Sequence, residues 1–353
     1  MMKNVFCFHV AKIVLFCIFA VYNNEGPMKK IICILMVALL VMGVSCKQKS
    51  VPAFKSDNFS TGKAGEMILA IDSGYWTTAA MKAIYEVLQQ PQPAINQIEP
   101  MFDVIQCSNK DFTASFTRHR NVLQFDCKQQ YSGNHYEVQK NPFSSPQILV
   151  KIWGNNQDSC LALFLQHKDE IIKVMYDNDL ARLQNAHRKL NNPEVEKKIK
   201  EKFGISMTIP TDYFVGREEK DFLWLCYRTP KNDRFITIYQ TPAYTVNTAN
   251  VVAKRDSVTK AYIAGAVQGA YPKVADVKDF PLAQNIQLHY HSGLELRGFW
   301  DSVRDKMGGP FYSFTMLNAD NNQCITIDGF VYAPQEHKRD YIREVEAIVK
   351  SIK

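Results

Sequence analysis

Two histidines separated by one residue, His289-Tyr290-His291, form the pattern in this sequence most suggestive of a metal site. Residues two apart on a strand point to the same face, so both imidazoles can meet one cation there, with Glu295 or Asp301 as a third ligand. That arrangement suits a metal-dependent hydrolase. The competing reading is a pair of solvent-facing histidines at a strand end beside the Ser292-Gly293 turn. No His-Glu-x-x-His or paired Cys-x-x-Cys pattern supports the metal.

The densest mixture of charge, aromatic and turn residues follows at once. Glu295 and Arg297 share a strand face and can pair. Trp300 offers a stacking surface, Asp301 and Arg304 add charge, and Gly308-Gly309-Pro310 lets a backbone approach closely. These five charged and aromatic residues are the first place to look for a ligand, although an ion pair, a buried Trp and a tight turn explain the same pattern structurally. Arg118-His119-Arg120 can hold a carboxylate or phosphate, or can simply sit at the negative end of a helix. There is no nucleophile elbow, phosphate loop or dinucleotide fingerprint, so no catalytic residue and no cofactor is assigned.

These residues need elements to position them. Glu66 to Ile71 is a buried strand ending in the turn Asp72-Ser73-Gly74. Thr77 or Thr78 caps a helix with Met81, Ile84, Tyr85, Val87 and Leu88 at helical spacing, stopped by Pro91 and Pro93. Further strands are expected over 101–107, 122–125 and 147–153, a short helix over 111–119, and a long helix from about Asn156 to Leu190. After Asn191-Asn192-Pro193 come a charged helix over 194–203, strands over 222–228 and 234–240, a helix over 250–270, and strands over 286–290, 294–299, 311–317 and 324–332. A helix over 336–352 closes the chain. The expectation is an α+β fold with largely antiparallel sheets, helices packed on one face, and two sub-domains, 64–191 and 192–353.

The N-terminal stretch reads as a leader. Lys29 and Lys30 precede an uncharged apolar run, Ile31 to Val44, the length of a signal h-region and short for a membrane-spanning helix. Gly43-Val44-Ser45-Cys46 is similar to a lipobox, which makes residues 28–45 a lipoprotein signal peptide and Cys46 the lipidated residue. Gly43 stands where Leu is usual. Residues 1–27 read as an over-extended start; the rival is a membrane hairpin turning at 23–27. Residues 46–63 read as a flexible tether. Five cysteines follow Cys46, so at least one lacks an intramolecular partner. Cys107 and Cys127 can pair, but buried thiols are the simpler reading.

The chain has 353 residues, 46% of them hydrophobic, and a net charge of +7. Removing the leader leaves 38 basic and 34 acidic residues, a balance that argues against nucleic acid as a partner.

The segments Gly65-Glu66-Met67-Ile68-Leu69-Ala70-Ile71-Asp72, Glu99-Pro100-Met101-Phe102-Asp103-Val104 and Arg118-His119-Arg120-Asn121-Val122-Leu123 resemble a lipoprotein family of Bacteroidota, domain of unknown function 4837. Ile209-Pro210 before Phe222-Leu223-Trp224-Leu225, and Glu295-Leu296-Arg297-Gly298-Phe299-Trp300 leading to Gly309-Pro310-Phe311, extend the likeness over most of the body. The resemblance implies an envelope location but no reaction. Lys47, Gln48 and Lys49 stand where surface-exposed members of that phylum carry acids, which implies an anchor facing the periplasm. Ile209-Pro210 with Tyr213, before a Trp-bearing strand, is also similar to PsbP-like α/β modules, a fold analogy alone. The expected role is a non-enzymatic binding or structural module tied to the membrane by its lipid, with an envelope protein, peptide or glycan as partner.

Overall fold

The computed structural model describes residues 59–353 except 319–320, so the leader, Cys46 and most of the segment read as a tether lie outside the described residues. Residues 59–63 are held against the body. Phe59 and Thr61 make single parallel bridges to Ser145 and His119, and the Ser60 hydroxyl donates to the Pro146 carbonyl at 2.6 Å.

The first sheet has five strands: β1 (Glu66–Ala70), β2 (Asp103–Cys107), β3 (Asn121–Cys127), β4 (His135–Lys140) and β5 (Ile148–Gly154). Their order is β2-β1-β3-β5-β4. β2, β1, β3 and β5 run parallel, and only β4 is antiparallel. This half therefore departs from the antiparallel expectation. Strand direction follows from the connections: α1 (Thr78–Leu88) carries the chain back between β1 and β2, as parallel neighbours require. Thr77 caps α1, its hydroxyl accepting from the Ala80 N–H at 3.1 Å. The helix expected over 111–119 shrinks to one turn, α2 (Ala114–Thr117).

The long helix α3 (Gln157–Lys189) covers this sheet, with Cys160, Phe164, Ile171, Ile172 and Met175 buried along it. Asn156 caps it, accepting from the Ser159 N–H at 2.9 Å. Asn192 caps α4 (Pro193–Phe203), whose first position is proline and which ends on Gly204 in the left-handed conformation.

The second sheet is antiparallel throughout. It contains β6 (Phe214–Glu219), β7 (Phe222–Arg228), β8 (Asp233–Pro242), β10 (Leu282–Leu288), β11 (His291–Ser302), β12 (Gly308–Asn318) and β13 (Gln323–Tyr332), with the short β9 (Pro272–Val274) against β11. Period-two alternation sends successive residues to opposite layers. From β13, Ile325, Ile327 and Val331 join the core beneath the C-terminal helix α6 (Arg339–Val349). Phe330, from the same strand, joins the core beneath α5 (Thr248–Tyr262). Helices thus lie on both faces of this sheet. Among the described residues no helix is long and apolar enough to cross a membrane.

One link between the sheets bears on the site. The chain between α1 and β2 doubles back, with Pro91 bridged to Pro100. At its base the buried Glu99 carboxylate accepts from the backbone N–H groups of Lys338 and Arg339, at 2.7 and 3.0 Å. A negative group thus terminates the free N–H groups of α6. Arg343 of α6 donates to the Gln92 side chain at 2.9 Å and to the Met101 carbonyl at 2.6 Å.

Candidate functional site

β11 carries most of the residues singled out by sequence, and strand alternation divides them. Glu295 and Arg297 face α6, whereas Leu296 and Trp300 belong to the core under α5. Arg297 donates through both terminal nitrogens to Glu346 of α6, at 2.8 and 2.6 Å, and through Nε to Glu295 at 2.8 Å. The guanidinium lies 4.7 Å from the Tyr312 ring centroid. Tyr312 donates to Glu295 at 2.5 Å, and Tyr176 of α3 donates to Glu346. Lys350 adds an ion pair to Glu346 at 2.7 Å.

This cluster is nearly dry. Glu346 is fully buried, and burial pushes its carboxyl upward; Arg297 and Lys350 outweigh that and hold it at about 2. Burial, reinforced by Glu346 and Glu295, drives the Tyr312 hydroxyl well above its usual range, and Tyr176 shifts the same way. Two cations and two carboxylates balance, so the cluster is a neutral, mutually satisfied network. Every guanidinium nitrogen of Arg297 has a carboxylate partner, and a ligand seeking this arginine must displace Glu346 or Glu295.

The remaining candidates are placed apart. Trp300 is buried edge-on to Phe330, centroids 5.4 Å apart, and its indole N–H donates to the Val331 carbonyl at 3.0 Å. Asp301 pairs in register with Lys273 of β9. Arg304 sits in a turn with φ of 71° and donates to the Gln268 carbonyl at 3.3 Å. The close approach foreseen at Gly308-Gly309 is real at Gly309: a Cβ there would lie 2.1 Å from the Val331 carbonyl oxygen.

His289 and His291 do not share a strand face. The last pair of the β10–β11 ladder is Leu288 with His291, which leaves His289 and Tyr290 as a two-residue turn, with His289 at φ of 51°. Glu295 lies four residues along the strand from His291, about 13 Å at the usual rise, and is engaged by Arg297 and Tyr312. Among the described residues no group of three or more His, Cys, Asp or Glu side chains could hold a metal ion.

The Arg118-His119-Arg120 cluster is also committed. Arg120 donates to Asp179 at 3.2 Å and to the Gly62 carbonyl at 2.7 Å, Arg118 donates to the Phe59 carbonyl at 3.1 Å, and His119 is buried 3.5 Å from Glu66. Sequence reasoning passed over Glu346, Tyr312, Tyr176 and Lys350. A glutamate amid Ile342, Val345 and Val349 on the apolar face of the last helix was the available signal, since a buried acid needs a cation.

Two cavities flank the 91–100 loop. The smaller, about 220 Å³, is lined by Gln92, Met101, Asp169, Lys173, Tyr176 and Arg297. The larger, about 730 Å³, has Phe280, Phe299, Trp300 and Tyr332 in its walls, with Lys306 and Lys338 among its polar residues. Lys338 also donates to the Gln97 side chain at 3.3 Å. β11 passes from one cavity to the other between Arg297 and Phe299.

Residues 192–351 match a family described as Domain of unknown function (DUF4837), and residues 60–188 match Domain of unknown function (DUF8532). No curated protein matches the chain. Among solved structures, the Saccharomyces cerevisiae Ran-binding protein Mog1p is 8% identical, covers 43% of this chain and 91% of its own, and has a TM-score of 0.29. LpqN of Mycobacterium tuberculosis, involved in cell envelope biogenesis, is 12% identical, covers 42% of this chain and 83% of its own, and has a TM-score of 0.26. At such scores neither likeness bears on function.

Proposed function

Taking residues 192–351 as a member of the DUF4837 family, we propose that the chain is a lipid-anchored cell-envelope protein that binds a partner without chemical turnover. The lipid sits on Cys46, the body faces the periplasm, and the binding surface is the larger cavity beside the 91–100 loop. One observation carries the binding part: a cleft of about 730 Å³ combines an aromatic wall with two lysines. Concave, mostly apolar surfaces with a few placed polar groups are where proteins hold ligands. Phe280 and Phe299, packed edge-on at 4.7 Å, offer a rigid apolar floor, and the exposed Lys306 favours a partner segment carrying a carboxylate. In contrast, Arg297 is bound to both Glu295 and Glu346, and Glu295 also accepts from Tyr312.

Two measurements test this. The mature N-terminus from native cells is expected to be an acylated Cys46, and Cys46→Ala is expected to release the protein from the membrane fraction. An unacylated chain starting upstream of Cys46 removes the anchor. A photo-crosslinking residue at Phe280 is expected to trap a discrete envelope partner, with capture lowered by Lys306→Glu. Failure to trap any partner in intact cells, with folded protein, removes the binding reading.

A further inference from the structure

We propose that Cys127 and Cys160 are a dithiol pair that closes to a disulfide, clamping the end of β3 to the first turn of α3. All five cysteines among the described residues are reduced, yet these two are neighbours. Cys127 pairs in register with Gly154 on β5, and a Cβ built on Gly154 would lie 3.0 Å from the Cys160 sulfur. The Cys160 sulfur therefore occupies the space beside the register partner of Cys127. Both side chains pack into the same apolar core between the sheet and α3. Cys107, the partner considered from sequence, packs into the core on the opposite face of that sheet. A Cys107–Cys127 bridge would have to pass through the sheet, so the sequence-level pairing is ruled out by geometry.

Solvent access sets the order of attack. The two thiols act on each other, with burial added: the Cys127 thiol is raised and that of Cys160 lowered. Cys127 is half-buried and Cys160 is inaccessible, so an external oxidant meets Cys127 first. With a small-molecule disulfide as oxidant, Cys127, the accessible thiol, gives up its proton to solvent base and attacks one of the reagent sulfurs, forming a mixed disulfide and expelling one thiolate. The Cys160 thiolate then attacks the Cys127 sulfur, forming the protein bridge and expelling the second thiolate. The protein loses two electrons, the reagent S–S bond is reduced, and the two cysteine protons pass to the departing thiolates. The closed loop contains β4 and β5, an antiparallel pair at one edge of the sheet.

The proposal is independent of where the protein resides and is tested in vitro. The purified full-length chain is incubated with oxidised glutathione, denatured in an alkylating agent, digested and mapped by mass spectrometry. The expected product is a Cys127–Cys160 cross-linked peptide about 2 Da lighter than the two thiol peptides together. Cys107, Cys226 and Cys324 are expected to remain alkylated. Cys160→Ser is expected to stop the reaction at a persistent glutathione adduct on Cys127, and Cys107→Ser is expected to change nothing. The bridged form is expected to melt about 5 °C higher than the reduced form. Full alkylation of both Cys127 and Cys160 in the oxidised wild-type protein, or a bridge from either to a different cysteine, overturns the proposal. A bridge formed by a protein that proves to lack the lipid anchor leaves this inference standing and removes only the envelope reading.

Discussion

Arg297 on β11 holds Glu346 on α6 by two parallel N–H···O bonds of 2.8 and 2.6 Å, inside a network that also ties Glu295, Tyr312, Tyr176 and Lys350 together. The strand, the C-terminal helix and the long helix α3 meet at this point. The strength of such a pair lies in the cost of breaking one side of it. Arg297→Ala leaves Glu346 buried and without its arginine, and is expected to lower the unfolding free energy by about 3–5 kcal/mol. Urea denaturation measures it. Adding Glu346→Gln to that variant is expected to recover part of the loss, since the orphaned charge disappears.

Two buried groups give stability separate acid limits. His187 is held down at about 4, by burial first and then by Arg234 and Arg188. Its unfolded form takes a proton below about 6.5, so stability is lost as pH falls from there through 4. Glu346, held at about 2, loses its contribution lower, from about 4.5 through 2. His119, also lowered by burial, adds to the upper window. Asp328 and Glu344, raised by burial, act in the opposite sense. The readout is the change in slope of unfolding free energy against pH. His187→Gln is expected to flatten the upper window, and Glu346→Gln the lower. Unchanged slopes would remove these assignments.

Glu99 terminates a helix that belongs to the other sheet. Glu99→Ala is expected to cost about 1–2 kcal/mol, the usual worth of a cap with a charge at a helix N-terminus. It also frees the 91–100 loop, so limited proteolysis is expected to cut there faster than in wild type. Glu99→Gln keeps one acceptor and is expected to lie between.

Arg255 and Asp328 form a fully buried ion pair at 2.9 Å under α5, with Arg255 over the Phe311 ring at 4.5 Å. Asp328→Ala is expected to destabilise by about 3–5 kcal/mol. The paired replacement Arg255→Met with Asp328→Leu is expected to be much closer to wild type, because no charge is then left in the core. Thermal unfolding of the three proteins decides it.

Gly309 admits the Val331 carbonyl, the same oxygen that accepts the Trp300 indole N–H at 3.0 Å. Gly309→Ala is expected to cost at least about 2 kcal/mol and to shift Trp fluorescence, since the backbone must move to clear a contact of 2.1 Å. A melting point equal to wild type contradicts the packing described for this corner.

The elements themselves were largely written in the sequence. Period-two alternation over Arg234 to Gln240 marked a strand because both faces are local properties of the chain. Thr77 or Thr78 marked a helix start because a cap satisfies N–H groups only two or three residues away. The strands β4 and β6 were not legible: their residues are exposed or only partly buried and carry no strong apolar pattern. Strand direction in the first sheet was also hidden, since a local pattern is the same for either direction. The candidate site divides in the same way. Glu295 and Arg297 were close enough in the chain for their pairing to be foreseen. Glu346, Tyr176 and Lys350 come from helices far along the chain, and only packing brings them to that arginine. His289 and His291 failed to share a face because His289 lies in the turn and only His291 is on the strand. Which side chains are neighbours across elements is set by how apolar surfaces are buried jointly, a property of the whole fold that no short stretch of residues carries.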